Sequence, residues 1–184
     1  MTPAEAWERE LSRLFRQNAI QPLNQPAAVA RQQFDLAVRN YERALREIDS
    51  AFEDRDLDSP FLRLYQALRC SASALLAAYG YRVPGSEGGH RETLRLGALA
   101  LTVTEPIAAR TLEEIREPAR VARNRAEYAA VDTVMERDLA RLFEGLATVI
   151  PAVARSLRTV LPDHDFPSGE LPLPGRFDTP ETNA

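Results

Sequence analysis

An all-α fold, an antiparallel bundle of four to five helices, follows from three features of this 184-residue chain. Apolar side chains recur at alternating steps of four and three, as at Phe34, Val38, Tyr41, Leu45, Ile48 and Phe52. That is the period of an amphipathic helix. Proline and glycine mark the boundaries of such stretches, where they end or start helices. No segment sustains the apolar–polar alternation of a half-buried strand.

The elements follow in order. Residues 1–25 form an amphipathic helix and a linker, with Trp7, Leu11, Leu14 and Phe15 as the apolar set. This helix either packs on its own bundle or acts as an arm that docks on a second copy. The bundle spans residues 26–161 and opens with a long helix from Pro26 to about Phe52. Asp58-Ser59-Pro60 supplies a cap and a first-turn proline for the next helix. Its stripe is Phe61, Tyr65, Leu68, Ala72, Leu75 and Tyr79, and Gly80 stops it. A loop from Tyr81 to Gly89 precedes a short helix from about Gly89 to Gly97. Thr104-Glu105-Pro106 opens another helix, in which Pro118 predicts a kink or break near Arg116–Glu117 before the pattern resumes to Tyr128. Thr133 and Glu136 fit a capping box for the last helix, whose stripe runs from Leu139 to Leu157 and which Pro151 should bend.

Residues 162–184 differ from the rest. They hold five of the 13 prolines and a net charge of −4, with scattered Phe166, Leu171, Leu173 and Phe177. Such a segment cannot build a helix or core and is expected to be extended or disordered. The alternative is a strap lying in a groove of the body or of a partner, and its acidity would suit it to cover a basic groove.

Composition excludes several functions. The net charge of −4 rules out a globally basic nucleic-acid binder. All 23 basic residues are Arg, so neither Schiff-base chemistry nor a P-loop lysine is available. One cysteine, Cys70, and two histidines, His90 and His164, leave no cysteine or multi-histidine metal site, and no cofactor is expected. The charged N-terminus lacks the apolar region of a secretory signal, and no apolar run is long enough to span a membrane; a cytoplasmic protein is expected. His90, after two glycines, reads as a cap or turn residue, and Glu113, Glu114 and Glu117 as solvated partners of nearby arginines.

One segment concentrates chemistry, Arg116 to Tyr128. Arg116, Arg120 and Arg123 are four and three apart, so a mildly bent helix places them on one face. Three guanidiniums there would make a local anion site able to hold a phosphate diester. The plainer reading is a solvated face with intrahelical pairs, notably Arg123 to Glu127. Asn124 and Tyr128 share a face, whereas Arg123 and Tyr128 lie ~140° apart and converge only if the helix bends or the arginine wraps round.

These residues carry a resemblance to the HEPN family of small helical domains. Leu64 to Leu76, ending in Gly80 and followed by Gly89-His90, is similar to that family's helix of aromatic and small residues, then a glycine and a loop with histidine. Arg123-Asn124-Arg125-Ala126-Glu127-Tyr128 resembles its Arg-x-x-Ala-acid-Tyr variant, and the likeness spans roughly residues 30–158. The resemblance implies an RNA-directed site built from Arg123, Asn124 and Tyr128, with Arg116 and Arg120 as the pair that grips phosphates, a homodimer with a composite cleft, and a toxin–antitoxin or defence setting. It also implies a nucleotidyltransferase or an antitoxin protein as partner. Two functions follow: an interaction or nucleotide/RNA-binding module, or a metal-independent ribonuclease. Tyr128 stands where the family's nuclease motif has histidine, and a phenol with a pKa near ~10 is a poor base at neutral pH. The module is therefore the leading expectation and the enzyme the alternative.

Overall fold

The computed structural model describes residues 1–85, 88–128 and 134–175. Six helices are present among them: α1 (Pro3–Arg16), α2 (Pro26–Asp54), α3 (Asp58–Ala78), α4 (Gly89–Thr104), α5 (Pro106–Tyr128) and α6 (Glu136–Val160). Two short strands, β1 (Gln21–Pro22) and β2 (Tyr81–Arg82), pair antiparallel with Gln21 opposite Arg82. No helix among the described residues is long and apolar enough to cross a membrane.

The core is organised round α3. Fourteen of its 21 residues are buried, from Pro60 to Ala78, and it packs against α2, α4, α5 and α6. A helix apolar on most of its circumference belongs inside a bundle. The first capping oxygen is Asp56 rather than Asp58: its carboxylate accepts the Ser59 backbone N–H at 3.1 Å and the Ser59 hydroxyl at 2.6 Å. Asp58 instead accepts the Val134 backbone N–H at 3.0 Å, tying the start of α3 to the approach to α6. Gly80, at φ +86°, follows the end of α3 in the left-handed conformation.

On α2 the buried face is turned slightly from the expected stripe. Val38, Leu45 and Phe52 are only partly buried, while Phe34, Ala37, Tyr41, Ala44, Ile48 and Ala51 are fully inside. Ala30, Ala37, Ala44 and Ala51 recur every seven residues. Small side chains at that interval let two helix backbones approach closely, and α2 packs chiefly on α3. Periodicity weighted toward large side chains missed the alanine line.

Three further findings correct the sequence expectations. First, α4 does not end at Gly97 but continues to Thr104. Gly97 is a contact point: a Cβ there would lie 2.5 Å from Ala72 Cβ and 2.9 Å from Ala72 Cα. Second, α5 runs through Pro118 without a break. Proline leaves the carbonyl four residues back without its helical donor, and Arg141 Nη2 of α6 donates to that carbonyl, Glu114 O, at 3.2 Å. Helix α6 also holds Pro151 inside it, as its expected continuation through that residue requires. Third, the linker and the α3–α4 loop are joined by the β1–β2 ribbon. The predicted box of Thr133 falls outside the described residues; Asp138 accepts the Met135 backbone N–H at 3.2 Å at the start of α6.

Helix α1 lies on its own bundle. Trp7 and Leu14 are buried, Trp7 meets Tyr79 edge-on at 5.0 Å, and Arg95 of α4 reaches Glu10 at 2.5 Å. After α6, residues 162–175 run without regular structure but are docked as a strap over α2 and α6. Phe166 is buried against Phe34, Tyr41 donates to Pro172 O at 2.9 Å, Arg31 donates to Asp165 O, and Arg158 donates to Phe166 O at 2.9 Å. Burial of one aromatic and capture of three carbonyls offset the chain entropy that composition alone suggested would win.

Gly97→Ala tests the close contact. In an unconstrained helix interior that change stabilises by ~1 kcal/mol. Here it should destabilise the fold by ~1–3 kcal/mol in chemical denaturation, because the methyl meets backbone; a more stable variant would refute the contact.

Candidate functional site

The residues of interest meet in a hollow of about 570 Å³ between α3, α4 and the C-terminal half of α5. Its walls are Tyr65 of α3, His90 and Arg91 of α4, and Arg120, Arg123, Asn124 and Tyr128 of α5, with Gly88 at one end. Helix spacing explains the α5 contribution. Residues 120, 123/124 and 128 climb one face by successive turns toward the end of the helix.

Of the arginines expected together, Arg120 and Arg123 line the hollow and Arg116 does not. Arg116 lies two turns, roughly 10 Å, before Arg123 along the axis. It turns instead to Glu113 at 2.5 Å and Glu117 at 3.1 Å, with its side chain 15% exposed. The expected intrahelical pairing also forms within the hollow. Arg120 pairs with Glu117 at 2.9 Å, Arg91 with the same carboxylate at 3.4 Å, and Arg123 with Glu127. The walls thus hold three guanidiniums, paired with two carboxylates that lie beside the lining, in a chain whose net charge is negative. The Arg116 pair holds Glu113 below the usual carboxylate range, and Arg120, with Arg91 and Arg116 near, does the same for Glu117.

The Arg123 guanidinium lies 5.9 Å from the centre of the Tyr65 ring, and Nη1 donates to Asn124 Oδ1 at 3.2 Å. Tyr128 stands at the rim, 80% exposed. It is a flat aromatic surface beside the hollow rather than a buried acid or base.

Sequence reasoning passed over the inner wall. His90, read as a cap or turn residue, faces the hollow and lies 2.9 Å from Arg69 Nη1 through Nε2. Since a guanidinium can only donate, Nε2 accepts and the imidazole is neutral. Burial, then the charges of Arg69 and Arg123, push the His90 pKa below its ordinary 6.5, with Glu127 opposing. Tyr65 also escaped notice, because its place in the apolar stripe disguised it. Its ring is 6.4 Å from the His90 ring, and its buried hydroxyl has no hydrogen-bond partner among the described protein atoms. Burial raises the phenol's pKa while Arg123, Arg69 and Arg120 pull it back, so the hydroxyl stays protonated and able to donate. The one usable sequence signal was the aromatic at position 65 one turn before Arg69, on the helix that faces Gly89-His90.

Chemically, the hollow offers forked donors for an anion's oxygens, aromatic faces for a flat ring, and a neutral imidazole whose only lone pair, on Nε2, is taken by Arg69. No group of three or more His, Cys, Asp or Glu side chains suited to a metal converges among the described residues. Cys70 is buried away from it, its thiol pKa raised by burial. The described strap contacts α2 and α6 and no wall of the hollow, so residues 162–175 are not its lid. Residues 176–184 lie outside the described part.

Because the folded protein resists protonating His90 while the unfolded chain takes a proton near pH ~6.5, stability present above that pH is lost as pH falls through the lower folded pKa. Arg69, Arg123, Glu127 and Tyr65 are the groups that face it, and Glu10, held at about 2, titrates well below this window. His90→Gln should therefore show a shallower fall in melting temperature between pH ~7 and ~5.5 than the parent; equal slopes would contradict the assignment. Comparison of the chain with protein-family models, with curated proteins and with solved structures finds no match to any of them.

Proposed function

We propose that this chain is a HEPN-like nucleotide- or RNA-binding module whose ligand phosphate is held by Arg120 and Arg123 in the hollow between α3, α4 and α5. The single observation that carries the reading is the gathering of Arg91, Arg120 and Arg123 round one cavity with Tyr65 and Tyr128 on its walls. Guanidinium forks match phosphate oxygens, and the rings provide stacking surfaces for a base. Arg116 drops out as a gripping residue in this reading, since it is committed to Glu113 and Glu117. Glu117 and Glu127 act as internal competitors: a bound phosphate must take their place, which keeps affinity modest and salt-sensitive. The exposed Tyr128 and Val121 at the edge are where a second copy, or a nucleotidyltransferase-type or antitoxin partner, would close the hollow.

One observation supports the second reading, a metal-independent ribonuclease. His90 brings an imidazole to the hollow that position 128 does not provide. To take the proton of a 2′-hydroxyl, His90 must first release the Arg69 hydrogen bond from Nε2, its only lone pair, while Arg123 stabilises charge on the transferring phosphoryl group.

Fluorescence anisotropy with labelled short RNA and with a labelled mononucleotide tests the module. Arg120→Gln and Arg123→Gln should each weaken binding about tenfold and lower the salt dependence by about one counterion, whereas Arg110→Gln should not. Unchanged affinity in both hollow variants would overturn the reading. In the same samples, cleavage of RNA in chelator that disappears with His90→Gln and Arg123→Gln establishes the enzyme. Intact RNA in the parent reaction discards the enzyme and leaves the module.

A further inference from the structure

A second cavity, of about 330 Å³, opens on the other side of Arg69, between α2, α3 and the β1–β2 ribbon. Its volume falls at the lower end of the ~300–1,000 Å³ usual for small-molecule sites. It is two-ended. Leu23, Leu76 and Val83 make an apolar end; Gln33, Arg69 and Ser73 make a polar one.

Arg69 is the unusual member. It is half-buried on α3, and Nη1 donates to His90. Its Nε is buried with no hydrogen-bond partner, and no carboxylate forms an ion pair with it among the described residues. Arg91, Arg95, Arg120 and Arg123, which also line cavities, are each paired with an acid. A buried donor without an acceptor, on a group that cannot lose its proton, is expensive to maintain. Nε itself is closed to a ligand, so an acceptor entering the cavity meets the outer N–H groups of a guanidinium that has no acid beside it among the described residues.

We infer that this cavity binds a small organic monocarboxylate, its carboxylate on Arg69 and its hydrocarbon body against Leu23, Leu76 and Val83. The walls discriminate among anions. The Arg69 guanidinium with one hydroxyl and one amide matches the two oxygens of a carboxylate, while the further oxygens of a phosphate would meet an apolar wall. Arg82, the other arginine on the lining, donates to Gln21 at 3.0 Å and keeps its charge. The site is separate from the phosphate hollow, but Arg69 lines this cavity and bonds His90, which lines the other. A carboxylate on the outer edge of Arg69 adds negative charge behind the imidazole of His90, so occupancy of the one cavity is felt in the other.

Isothermal titration of the full chain with butyrate, isovalerate, hexanoate and phenylacetate tests this, with hexanamide and inorganic phosphate as comparators. At least one acid should bind, one molecule per chain, and the matched amide about tenfold more weakly or not at all. Arg69→Met should weaken the acid about tenfold. Val83→Trp, which fills the apolar end without touching the guanidinium, should abolish binding. Arg123→Gln should leave it unchanged, which separates this site from the phosphate hollow. Binding should also shift the imidazole nitrogen resonances of His90 and not those of His164, the only other histidine. Absence of binding by every acid at millimolar concentration, equal binding of acid and amide, or full binding by Val83→Trp would each overturn the inference. Should Arg69→Met fail to fold, the acid–amide comparison and Val83→Trp decide alone.

Discussion

The approach of α4 to α3 at Gly97 and Ala72 governs the functional end of this molecule. No side chain separates the helices there, since a Cβ at Gly97 would fall 2.5 Å from that of Ala72. Two turns further toward the start of α4, the same proximity brings His90 to Arg69 and within ring contact of Tyr65. The third wall, α5, is set against α6 by another glycine: a Cβ at Gly145 would lie 2.7 Å from Ile115 Cδ1. A bundle of bulkier residues at these crossings would hold its helices farther apart. The arginines of α5 would then face open solvent instead of a concave, partly desolvated surface, where charges interact more strongly.

Arginine serves two purposes in this chain, which contains no lysine. Some arginines repair the backbone. Arg141 supplies the donor that Pro118 takes from Glu114 O, and Arg31 and Arg158 hold carbonyls of the strap. A rigid fork with several N–H groups suits this work better than a single ammonium on a flexible stem. Others carry charge at the hollow, where each lining arginine meets a carboxylate one turn away or across the gap, Arg91 and Arg120 sharing Glu117. Such exposed pairs contribute little stability by themselves. In the proposed function their consequence is that a more highly charged ligand can take the carboxylates' place.

The two unsatisfied buried polar atoms near the centre, Tyr65 Oη and Arg69 Nε, stand on α3 one turn apart and flank His90. Both lie where the two cavities come nearest each other. A helix otherwise devoted to alanine and leucine packing thus carries a short polar seam, and the chemistry proposed for each cavity draws on it.

Much of this was legible in the chain. Helix number, order and most boundaries are local consequences of apolar spacing and of proline and glycine, so Pro60, Gly80 and Pro106 mark real ends. So was the α5 half of the hollow, because Arg120, Arg123, Asn124 and Tyr128 lie on one helix and their relative angles are fixed by its pitch. Where reading failed, the deciding partner was distant in sequence. Pro118 would break an isolated helix; Arg141, 23 residues on, rescues it. Gly97 looked like a stop until Ala72 made it a contact. The acidic tail looked free until Phe34, Tyr41 and Arg158 received it. His90 and Tyr65 belonged to different segments, and nothing in either one's neighbours told that they share a wall. Local periodicity determines which segments are helices and which way each faces; which helices touch, and therefore which side chains share a cavity, is decided by packing among residues that the chain keeps far apart.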